Sequence, residues 1–390
     1  MTKKVIPYGR QDITTKDIDS VVDVLKSDFL TQGPKVPEFE NSVATKVGVK
    51  HAFSMNSATS ALHVACMALE LKTGDILWTS PVTFVASANC AIYCGANIDF
   101  VDIDSSTFNL CPLKLEQKLK IAKKNKRLPK IVVAVHLCGQ SADMKKIHEL
   151  AIKYKFKIIE DASHAIGGKY EDEFIGGCKY SDITVFSFHP VKIITTCEGG
   201  MALTNCDDLS NKIEMLRSHG ITRDPRFMTK DPDGPWYYQQ LTLGYNYRMT
   251  DVQAALGLSQ MERLDEFVYK RHKIANRYDD LLKNFQVKTP QISKNCYSSF
   301  HLYVIRLKLN NINVNHLEVF EYLRAKNILV NIHYIPVHLQ PFYNNLGFKE
   351  GDYPESEKYY KEAISLPMYP GLTKKSQDYV IESLREILDK

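Results

Sequence analysis

Between residues 50 and 205, short apolar runs alternate with stretches in which apolar residues recur every three to four positions. The first pattern is typical of buried strands and the second of amphipathic helices. It predicts strands at Ala52–Met55, Ile76–Thr79, Ile98–Val101, Ile131–Val135, Ile158–Glu160 and Ile183–Phe188, with helices between them that include Ser60–Leu71 and Met144–Tyr154. This alternation predicts an α/β fold in which helices cover both faces of a mainly parallel sheet. Ligands bind such sheets at the carboxyl ends of the strands.

The rest of the chain predicts a helical start and a smaller C-terminal unit. A helix is expected where Thr15 precedes an apolar stripe at helical spacing, and the turn at residues 31–34 should end it. After residue 205 the pattern predicts helices at Asp251–Leu264 and Glu266–Phe285, a strand at Phe300–Leu307, a helix at His316–Lys326, a strand at Leu329–His333 and a closing helix at Ser376–Leu388. We therefore expect residues 1–265 to form an N-terminal segment and a large domain, and residues 266–390 a small α+β domain.

The composition favours a globular protein over a membrane-spanning or nucleic-acid-binding one. Apolar residues make up 44% and charged residues 24% of the 390, which is usual for a globular protein, and no apolar run approaches the length of a membrane span. No apolar segment follows the first lysines, so a secretory signal is not expected and a cytoplasmic location is. The net charge of +5 is mild, and the basic run at residues 123–127 is read as a solvated helix end rather than a nucleic-acid site.

Nine cysteines are scattered along the chain without any CxxC pair. Several lie inside apolar stretches, which favours buried free thiols in a reducing compartment. Because ligand spacing for zinc is missing, no metal site is expected.

Two predicted strands end in residues that can carry chemistry. One runs from Lys157 into Asp161 and His164, and the other leads through Ser187 to Lys192. Pyridoxal 5'-phosphate (PLP) needs a lysine amine for its attachment and an acid beside its pyridine nitrogen, and Lys192 and Asp161 could supply them from neighbouring strand ends. Taken singly, each residue has a plainer interpretation: Asp161 as a turn or cap residue, Lys192 as a solvated loop residue and His164 as a structural histidine.

Several segments together resemble one family. The run FSFHPVKIITTCEGG is similar to the cofactor-lysine segment of the DegT/DnrJ/EryC nucleotide-sugar aminotransferases, and IIEDASHAIGGKY to their pyridine-binding segment. Further matching blocks are NSATSALHVA, SPVTFVASANCAIYCGA, FVDIDSSTFNL and GYNYRMTDVQAALGLSQ. The resemblance extends from Pro7 to about Leu372 and implies the fold-type I architecture of PLP transferases, like that of aspartate aminotransferase.

The resemblance also implies roles for individual residues. Lys192 would hold PLP as a Schiff base and shuttle a proton, and Asp161 would pair with the pyridine nitrogen. The other cofactor contacts implied are His164 at the 3-hydroxyl, Phe84 stacked on the ring, and Ser187, Ala58 and Thr59 at the phosphate. Asn246 would reach the cofactor of a neighbouring subunit, which implies a homodimer with shared sites. Phe84 could instead be a core residue, and Cys197 and Ile193 depart from the residues that many relatives have there.

A finer resemblance concerns the substrate. PYGRQDI, LTQGP, DGPWYYQQLTLGYNYRMTD, VNIHYIPVHLQPFY and SLPMYPGLT resemble the subfamily that makes UDP-4-amino-4,6-dideoxy-N-acetyl-β-L-altrosamine, a pseudaminic acid precursor. The UDP-sugar site would then be lined by Tyr8, Thr31, Gln32, Gly33, Ser57, His333 and Tyr334, with L-glutamate as amino donor. A transaminase for another nucleotide sugar, such as the D-xylo epimer, stays open. A non-catalytic PLP-binding regulator is a third hypothesis, which the retained Lys192, Asp161 and Asn246 disfavour.

Overall fold

The computed structural model describes residues 5–389. Its strands, β1 to β17 in chain order, are Ile6–Pro7, His51–Met55, Ile76–Thr79, Asn97–Phe100, Ile131–Val135, Lys157–Asp161, Lys169–Tyr170, Glu173–Phe174, Ile183–Ser187, Gly200–Thr204, Ile221–Thr222, Gln239–Gln240, Val287–Lys288, Cys296–Tyr297, Tyr303–Leu307, Ile328–Leu329 and Ala363–Leu366. Its helices, α1 to α13, are Thr15–Leu25, Lys35–Val47, Ala58–Ala68, Ala86–Tyr93, Pro112–Lys124, Met144–Tyr154, Asp207–Arg217, Asp251–Met261, Leu264–Leu282, His316–Ala325, Pro341–Asn344, Pro354–Glu362 and Lys374–Leu388.

The largest sheet has seven strands in the order β2-β10-β9-β6-β5-β3-β4. β10 is antiparallel to both of its neighbours, and the other pairings in the sheet are parallel. β5 and β9 are buried along their whole length, as expected for parallel strands that are covered on both faces. The prediction of a mainly parallel sheet is therefore confirmed.

Helices cover the two faces of this sheet, and β5 shows how the faces divide. Ile131, Val133 and Val135 belong to the hydrophobic core under α3 and α4, whereas Val132 and Ala134 belong to the core under α5 and α6. Alternate side chains of a strand point to opposite faces, so one short apolar segment contributes to both cores. The sheet is thus held between two helical layers, and its strand ends cannot shift without disturbing both.

Several predicted elements are confirmed at the predicted bounds, namely Ile76–Thr79, Ile131–Val135 and Met144–Tyr154. Other bounds shift by a few residues: the helix predicted at Ser60–Leu71 spans Ala58–Ala68. Sequence patterning missed β10, which lies between β2 and β9, because it begins at the second residue of a glycine pair and its apolar run is short.

The predicted strand Leu329–His333 was wrong in extent. Only Ile328–Leu329 forms a strand, paired with β1, and after it the chain turns away towards the carboxyl edge of the large sheet. Asn331 keeps a single bridge to Ser365.

The C-terminal part has a core of its own. α9 is 19 residues long and packs with α10, α13 and a three-stranded antiparallel sheet, β13-β15-β17. Ile6 from the N-terminal end joins this core through the pairing of β1 with β16. The division into residues 1–265 and 266–390 stays a prediction.

Within residues 5–389, no helix has the length and apolar character needed to cross a membrane.

A buried aspartate fixes the turn that leads into α2. Asp251, the first residue of α8, is fully buried, and its carboxylate accepts hydrogen bonds from the N–H groups of Gly33 and Lys35 at 2.8 Å and of Val36 at 3.4 Å. Burying a carboxylate is costly unless such donors satisfy it, so the turn and the two helix starts depend on one another.

We therefore expect Asp251→Ala to lower the free energy of unfolding by roughly 1–3 kcal/mol, because it leaves partly buried N–H groups without their acceptor. Urea denaturation of both proteins measures the change. Asp28→Ala, at an exposed position just before the same turn, is the matched control and should change stability by less than about 0.5 kcal/mol. If both variants unfold at the wild-type urea concentration, Asp251 does not hold this turn.

Candidate active site

A cavity of about 550 Å³ lies at the carboxyl edge of the large sheet. Val135, Asp161 and Ser187 are the last residues of β5, β6 and β9, and all three line it. Parallel pairing sets Val135 opposite Asp161 and Asp161 opposite Val185, which brings these ends together. The full lining is Tyr8, Ser57, Ala58, Thr59, Leu62, Thr83, Phe84, Ala86, Val135, Asp161, Ser163, His164, Ser187, His189, Val191, Lys192, Glu198, His301, Asn331, Ile332, His333 and Tyr334.

Lys192 lies in the loop that follows β9 and lines this cavity. Its backbone N–H donates to the carbonyl oxygen of His189 at 2.9 Å, which fixes a tight turn below the side chain. Burial lowers the pKa of the Lys192 amine to about 8, and the nearby Asp161 carboxylate opposes this shift only in part. An amine with such a pKa can hold or release a proton near neutral pH, as a nucleophile or a general base must.

The Asp161 carboxylate is buried, and both of its oxygens accept hydrogen bonds. The hydroxyl of Ser87, on α4, donates to Oδ2 at 2.6 Å, and the hydroxyl of Ser163 donates to Oδ1 at 2.6 Å. Thr83 in turn contacts the Ser87 hydroxyl at 2.7 Å. These contacts fix the orientation of a negative charge that is aimed at the cavity.

His164 also lines the cavity, with both of its ring nitrogens engaged. The N–H of Cys138 donates to Nδ1 at 3.3 Å, so the neutral ring carries its proton on Nε2, which donates to the hydroxyl of Tyr334 at 3.1 Å. Burial, together with the positive charge of Lys192, holds the pKa of His164 well below its ordinary value, so the ring is neutral at pH 7. Because both ring nitrogens already have hydrogen-bond partners, the part of this imidazole that is available to contact a ligand is its ring face.

The N-terminus of α3 closes one side of the cavity. Ser57 is the N-cap, and its hydroxyl oxygen accepts a hydrogen bond from the N–H of Ser60 at 3.1 Å. The first N–H groups of a helix lack partners within the helix and favour an anion such as phosphate. Gly200 packs so tightly against this turn that a Cβ atom there would lie 2.3 Å from the nitrogen of Ala58. Only glycine permits that approach, which sets β10 directly behind the turn at Ser57–Thr59.

Aromatic side chains form the opposite wall. Phe84 is 57% exposed, so it is not a core residue, and its ring lies 6.1 Å from that of Tyr334. The rings of Tyr8 and His333 are 5.0 Å apart, and the Nδ1 atom of His333 lies 2.8 Å from the hydroxyl of Ser365. The peptide bond between His333 and Tyr334 is cis. Residues from both ends of the chain thus meet over the strand ends of the sheet.

Four residues predicted for the site lie outside this cavity within one chain. Gln32 and Gly33 line a second cavity of about 640 Å³, together with Arg217, Arg223 and Arg248. Thr31 forms a bridge to Thr250 near that cavity. Asn246 is exposed, between Tyr245 and Tyr247, and bridges Ser218.

Sequence reasoning missed Ser87, whose hydroxyl donates to the carboxylate of Asp161, and it missed His301 and Asn331, which line the cavity. Ser87 lies 74 positions before Asp161, and no local pattern links the two. His301 falls inside the predicted strand Phe300–Leu307 and two residues before the observed strand, and neither position indicates this cavity. Among residues 5–389, no cluster of histidine, cysteine and acidic side chains is arranged to hold a metal ion, and each of the nine cysteines is a free thiol.

Comparison with known proteins gives a consistent result. A model of the DegT/DnrJ/EryC1/StrS aminotransferase family matches residues 11–385. The chain is 39% identical to the UDP-4-amino-4,6-dideoxy-N-acetyl-beta-L-altrosamine transaminase of Campylobacter jejuni over 99% of this chain and 98% of that protein. It is 38% identical to the spore coat polysaccharide biosynthesis protein SpsC of Bacillus subtilis, over 98% of this chain and 97% of that protein.

Solved structures agree in fold. Helicobacter pylori PseC, an aminotransferase involved in the biosynthesis of pseudoaminic acid, superposes with a TM-score of 0.90 at 31% identity, over 99% of this chain and all of PseC. Spr1654 from Streptococcus pneumoniae, solved in a PMP form, gives a TM-score of 0.89 at 30% identity, over 98% of this chain and 99% of that one. The predicted fold class, that of the PLP aminotransferases, is therefore confirmed.

The lowered pKa of Lys192 predicts a pH-dependent stability for the chain prepared without PLP. The amine has a pKa of about 8 when folded and an ordinary lysine about 10.4, so between these values the unfolded chain binds more protons. Stability should therefore rise with pH across that window, and below it the full cost of protonating the buried amine is present. We expect Lys192→Met to be more stable than wild type by about 1–2 kcal/mol at pH 7, with the difference shrinking towards pH 10.

Denaturant titrations of both proteins at the two pH values measure this difference. Lys26→Met, at an exposed position, is the control and should show no such pH dependence. A difference between wild type and Lys192→Met that stays constant over the window would contradict the lowered pKa.

Proposed function

This chain belongs to the DegT/DnrJ/EryC1/StrS aminotransferase family, and we propose that it transfers the amino group of L-glutamate to C4 of UDP-2-acetamido-2,6-dideoxy-β-L-arabino-hex-4-ulose, in pseudaminic acid biosynthesis. The observation that carries the proposal is the cavity in which Lys192 and Asp161 face one space at the strand ends, beside an aromatic wall. The 39% identity with the altrosamine transaminase supports this particular sugar.

The residues of the cavity fit PLP as cofactor. A lysine amine with a pKa of about 8 is available for its attachment, and the N-terminus of α3 at Ala58 and Thr59, with Ser187 beside it, suits a phosphate. Gly200 leaves that turn free of a Cβ atom that would otherwise displace it. When bound, PLP supplies the electron sink that allows an amino group to be moved between two substrates.

Each residue then has a definite task. Lys192 would hold the cofactor through Nζ, and its amine, with a pKa near neutrality, could take up or release a proton. Asp161 pairs with the pyridine nitrogen and keeps it protonated, and the hydroxyls of Ser87 and Ser163 hold the carboxylate in place for that role. The exposed ring of Phe84 and the face of His164 are available for the cofactor ring, one as a stacking surface and the other as a neutral wall.

The sugar side of the cavity is formed by Tyr8, Ser57, His333 and Tyr334. Tyrosine hydroxyls and neutral imidazoles donate and accept hydrogen bonds without bringing a charge, which suits the hydroxyl and acetamido groups of a pyranose. Burial holds the pKa of His333 at about 3, so this imidazole is neutral when the enzyme works.

We propose that the enzyme is a homodimer with shared sites. Asn246 is exposed and lies outside the cavity of its own chain, which supports a role at the cofactor of the partner. In such a dimer, the second cavity would contribute Gln32, Gly33 and its arginines to the diphosphate of a sugar held by the neighbouring subunit, although Arg217 is already paired with Glu40 and the cavity also contains Glu214 and Asp224.

The substrate assignment predicts a preference between two epimers. With L-glutamate as donor, the L-arabino 4-keto sugar should be aminated faster than the D-xylo epimer, because inversion at C5 moves the methyl group against the wall of the cavity. Discrimination of this kind is commonly ~1–3 kcal/mol, which corresponds to a ratio of kcat/KM of roughly ten to two hundred. The measurement is kcat/KM for both sugars under one set of conditions, with the product identified by mass.

Lys192→Ala is the negative control and should not turn over either sugar. A clear preference for the D-xylo compound would reassign the sugar. Failure of the PLP-loaded wild type to aminate any UDP-4-keto sugar would overturn the proposed function.

Shared sites predict complementation between two inactive variants. In a heterodimer of Lys192→Ala with Asn246→Ala, one of the two sites keeps both wild-type residues, so mixing should restore activity. Random exchange makes half of the dimers mixed, with one working site each, which gives about a quarter of the wild-type rate. The measurement is activity after subunit exchange has been followed by mass spectrometry.

Mixing Lys192→Ala with Asp161→Ala is the matched control, because both residues belong to the same chain's site and no complete site can form. Exchange without rescue in the Asn246 mixture would mean that Asn246 does not serve the partner's cofactor.

A further inference from the structure

His301 stands out in the wall of the active-site cavity. Its side chain is 3% exposed, its ring lies 4.4 Å from that of His164, and it faces the space that Lys192 also lines. Its Nδ1 atom is buried and has no hydrogen-bond partner among residues 5–389. An unsatisfied buried nitrogen is costly, so a ligand that pairs with this ring would relieve the cost.

The backbone that presents His301 is held by a buried cation. Arg271, on α9, is fully buried, and within the described part of the chain its hydrogen bonds go to the carbonyl oxygens of Phe300, His301 and Met368, each at 3.1 Å. Its Nε and Nη2 atoms have no partner there. Burial lowers the pKa of Arg271 to about 9, which leaves it charged at neutral pH, and among residues 5–389 no carboxylate forms an ion pair with it.

The charges around His301 are therefore mainly positive. Burial holds the pKa of His301 well below its ordinary value, and the positive charges of Lys192 and Arg271 and the neighbouring imidazoles His164 and His333 act in the same direction. The ring is thus neutral and has one N–H to donate. The carboxylates of the cavity, Asp161 and Glu198, belong to other segments, and the first is occupied by two serine hydroxyls.

We propose that His301, with Arg271 behind it, forms the subsite for the α-carboxylate of the amino donor, an inference that rests on the proposed function. A neutral imidazole N–H in a field of two cations favours an anionic acceptor. In an amino acid the α-carboxylate is bonded to the carbon that carries the reacting amine, so it must lie close to Lys192. The keto sugar has no carboxylate, and its diphosphate is attached at C1, remote from the reacting C4.

A double-mutant cycle with two ligands tests this subsite in the PLP-loaded enzyme. The ligands are L-glutamate and 4-aminobutyrate, which is glutamate without its α-carboxylate, and the proteins are wild type and His301→Phe. The apparent dissociation constant of each pair is taken from the change in the cofactor's visible spectrum on titration. His301→Gln, which restores a hydrogen-bond donor, completes the set, and His51→Phe, on β2 away from the cavity, is the matched control.

We expect loss of the α-carboxylate to weaken binding to wild type at least tenfold, as for a lost hydrogen bond to a charged group. His301→Phe should raise the apparent dissociation constant of L-glutamate by a similar factor but change that of 4-aminobutyrate by no more than about twofold. The reason is that the substitution and the loss of the α-carboxylate remove the same contact. His301→Gln should recover part of the glutamate affinity. His51→Phe should match wild type.

If the ratio of the dissociation constants of 4-aminobutyrate and L-glutamate is the same in His301→Phe as in wild type, the α-carboxylate binds elsewhere and the subsite is overturned. A wild type whose spectrum does not respond to L-glutamate overturns it as well. If His301→Phe does not fold, judged by its circular dichroism, His301→Leu takes its place in the cycle.

The second half-reaction separates this proposal from the proposed function. Enzyme converted to its aminated cofactor form is mixed with the keto sugar, and the rate of product formation is measured for wild type and His301→Phe. Equal rates support a role confined to the donor, whereas an equal loss in both half-reactions overturns it. A wild type that responds to glutamate but never aminates the sugar refutes the proposed function and leaves the donor subsite standing.

Discussion

The amine of Lys192 and the carboxylate of Asp161 line one cavity, and much of the surrounding structure follows from that constraint. Removing either charge from water is costly unless other groups compensate it. The carboxylate of Asp161 is compensated by hydrogen bonds from the hydroxyls of Ser87 and Ser163. For Lys192, burial lowers the pKa of the amine to about 8. The sheet between two helical layers keeps the charges near each other, because the register of β6 and β9 is set by side chains buried on both faces.

Close backbone packing completes the cavity, and the chain tolerates some strain to achieve it. Gly200 lets the turn at Ser57–Thr59 approach the start of β10 to a distance that any side chain at residue 200 would prevent. In the loop after Lys192, Cys197 adopts a φ of 66°, in the left-handed region, which costs a residue with a Cβ atom roughly 1 kcal/mol. Its N–H donates to the hydroxyl of Thr195 at 3.0 Å, which offsets part of that cost. The loop can then return into β10 within a few residues of Lys192.

Local sequence patterns predicted the parts of the site that depend on strand ends. Asp161 and Lys192 each follow an apolar run, so the pattern placed them at one edge of the sheet. The contact of Ser87 with Asp161 could not be predicted in this way, since it joins residues on different elements. His301 reaches the cavity because a buried arginine 30 positions earlier holds its carbonyl, a tertiary effect that no periodicity reveals. Gln32 and Gly33 were expected beside Tyr8, yet within one chain they line another cavity, a separation that local sequence patterns do not reveal.

An aminotransferase must accept two unlike substrates in one cavity, and the distribution of charge here suggests how both are accommodated. Lowered pKa values keep His164 and His333 neutral, so the walls near the reacting carbon set no imidazolium charge against a pyranose, and the neutral ring of His301 is the one we assign to the amino donor. Arg271 adds a positive charge that is fully buried behind His301 and hence not in direct contact with either substrate. A cation in that position attracts a carboxylate through the field alone, and it leaves the wall uncharged when a neutral sugar replaces the amino acid.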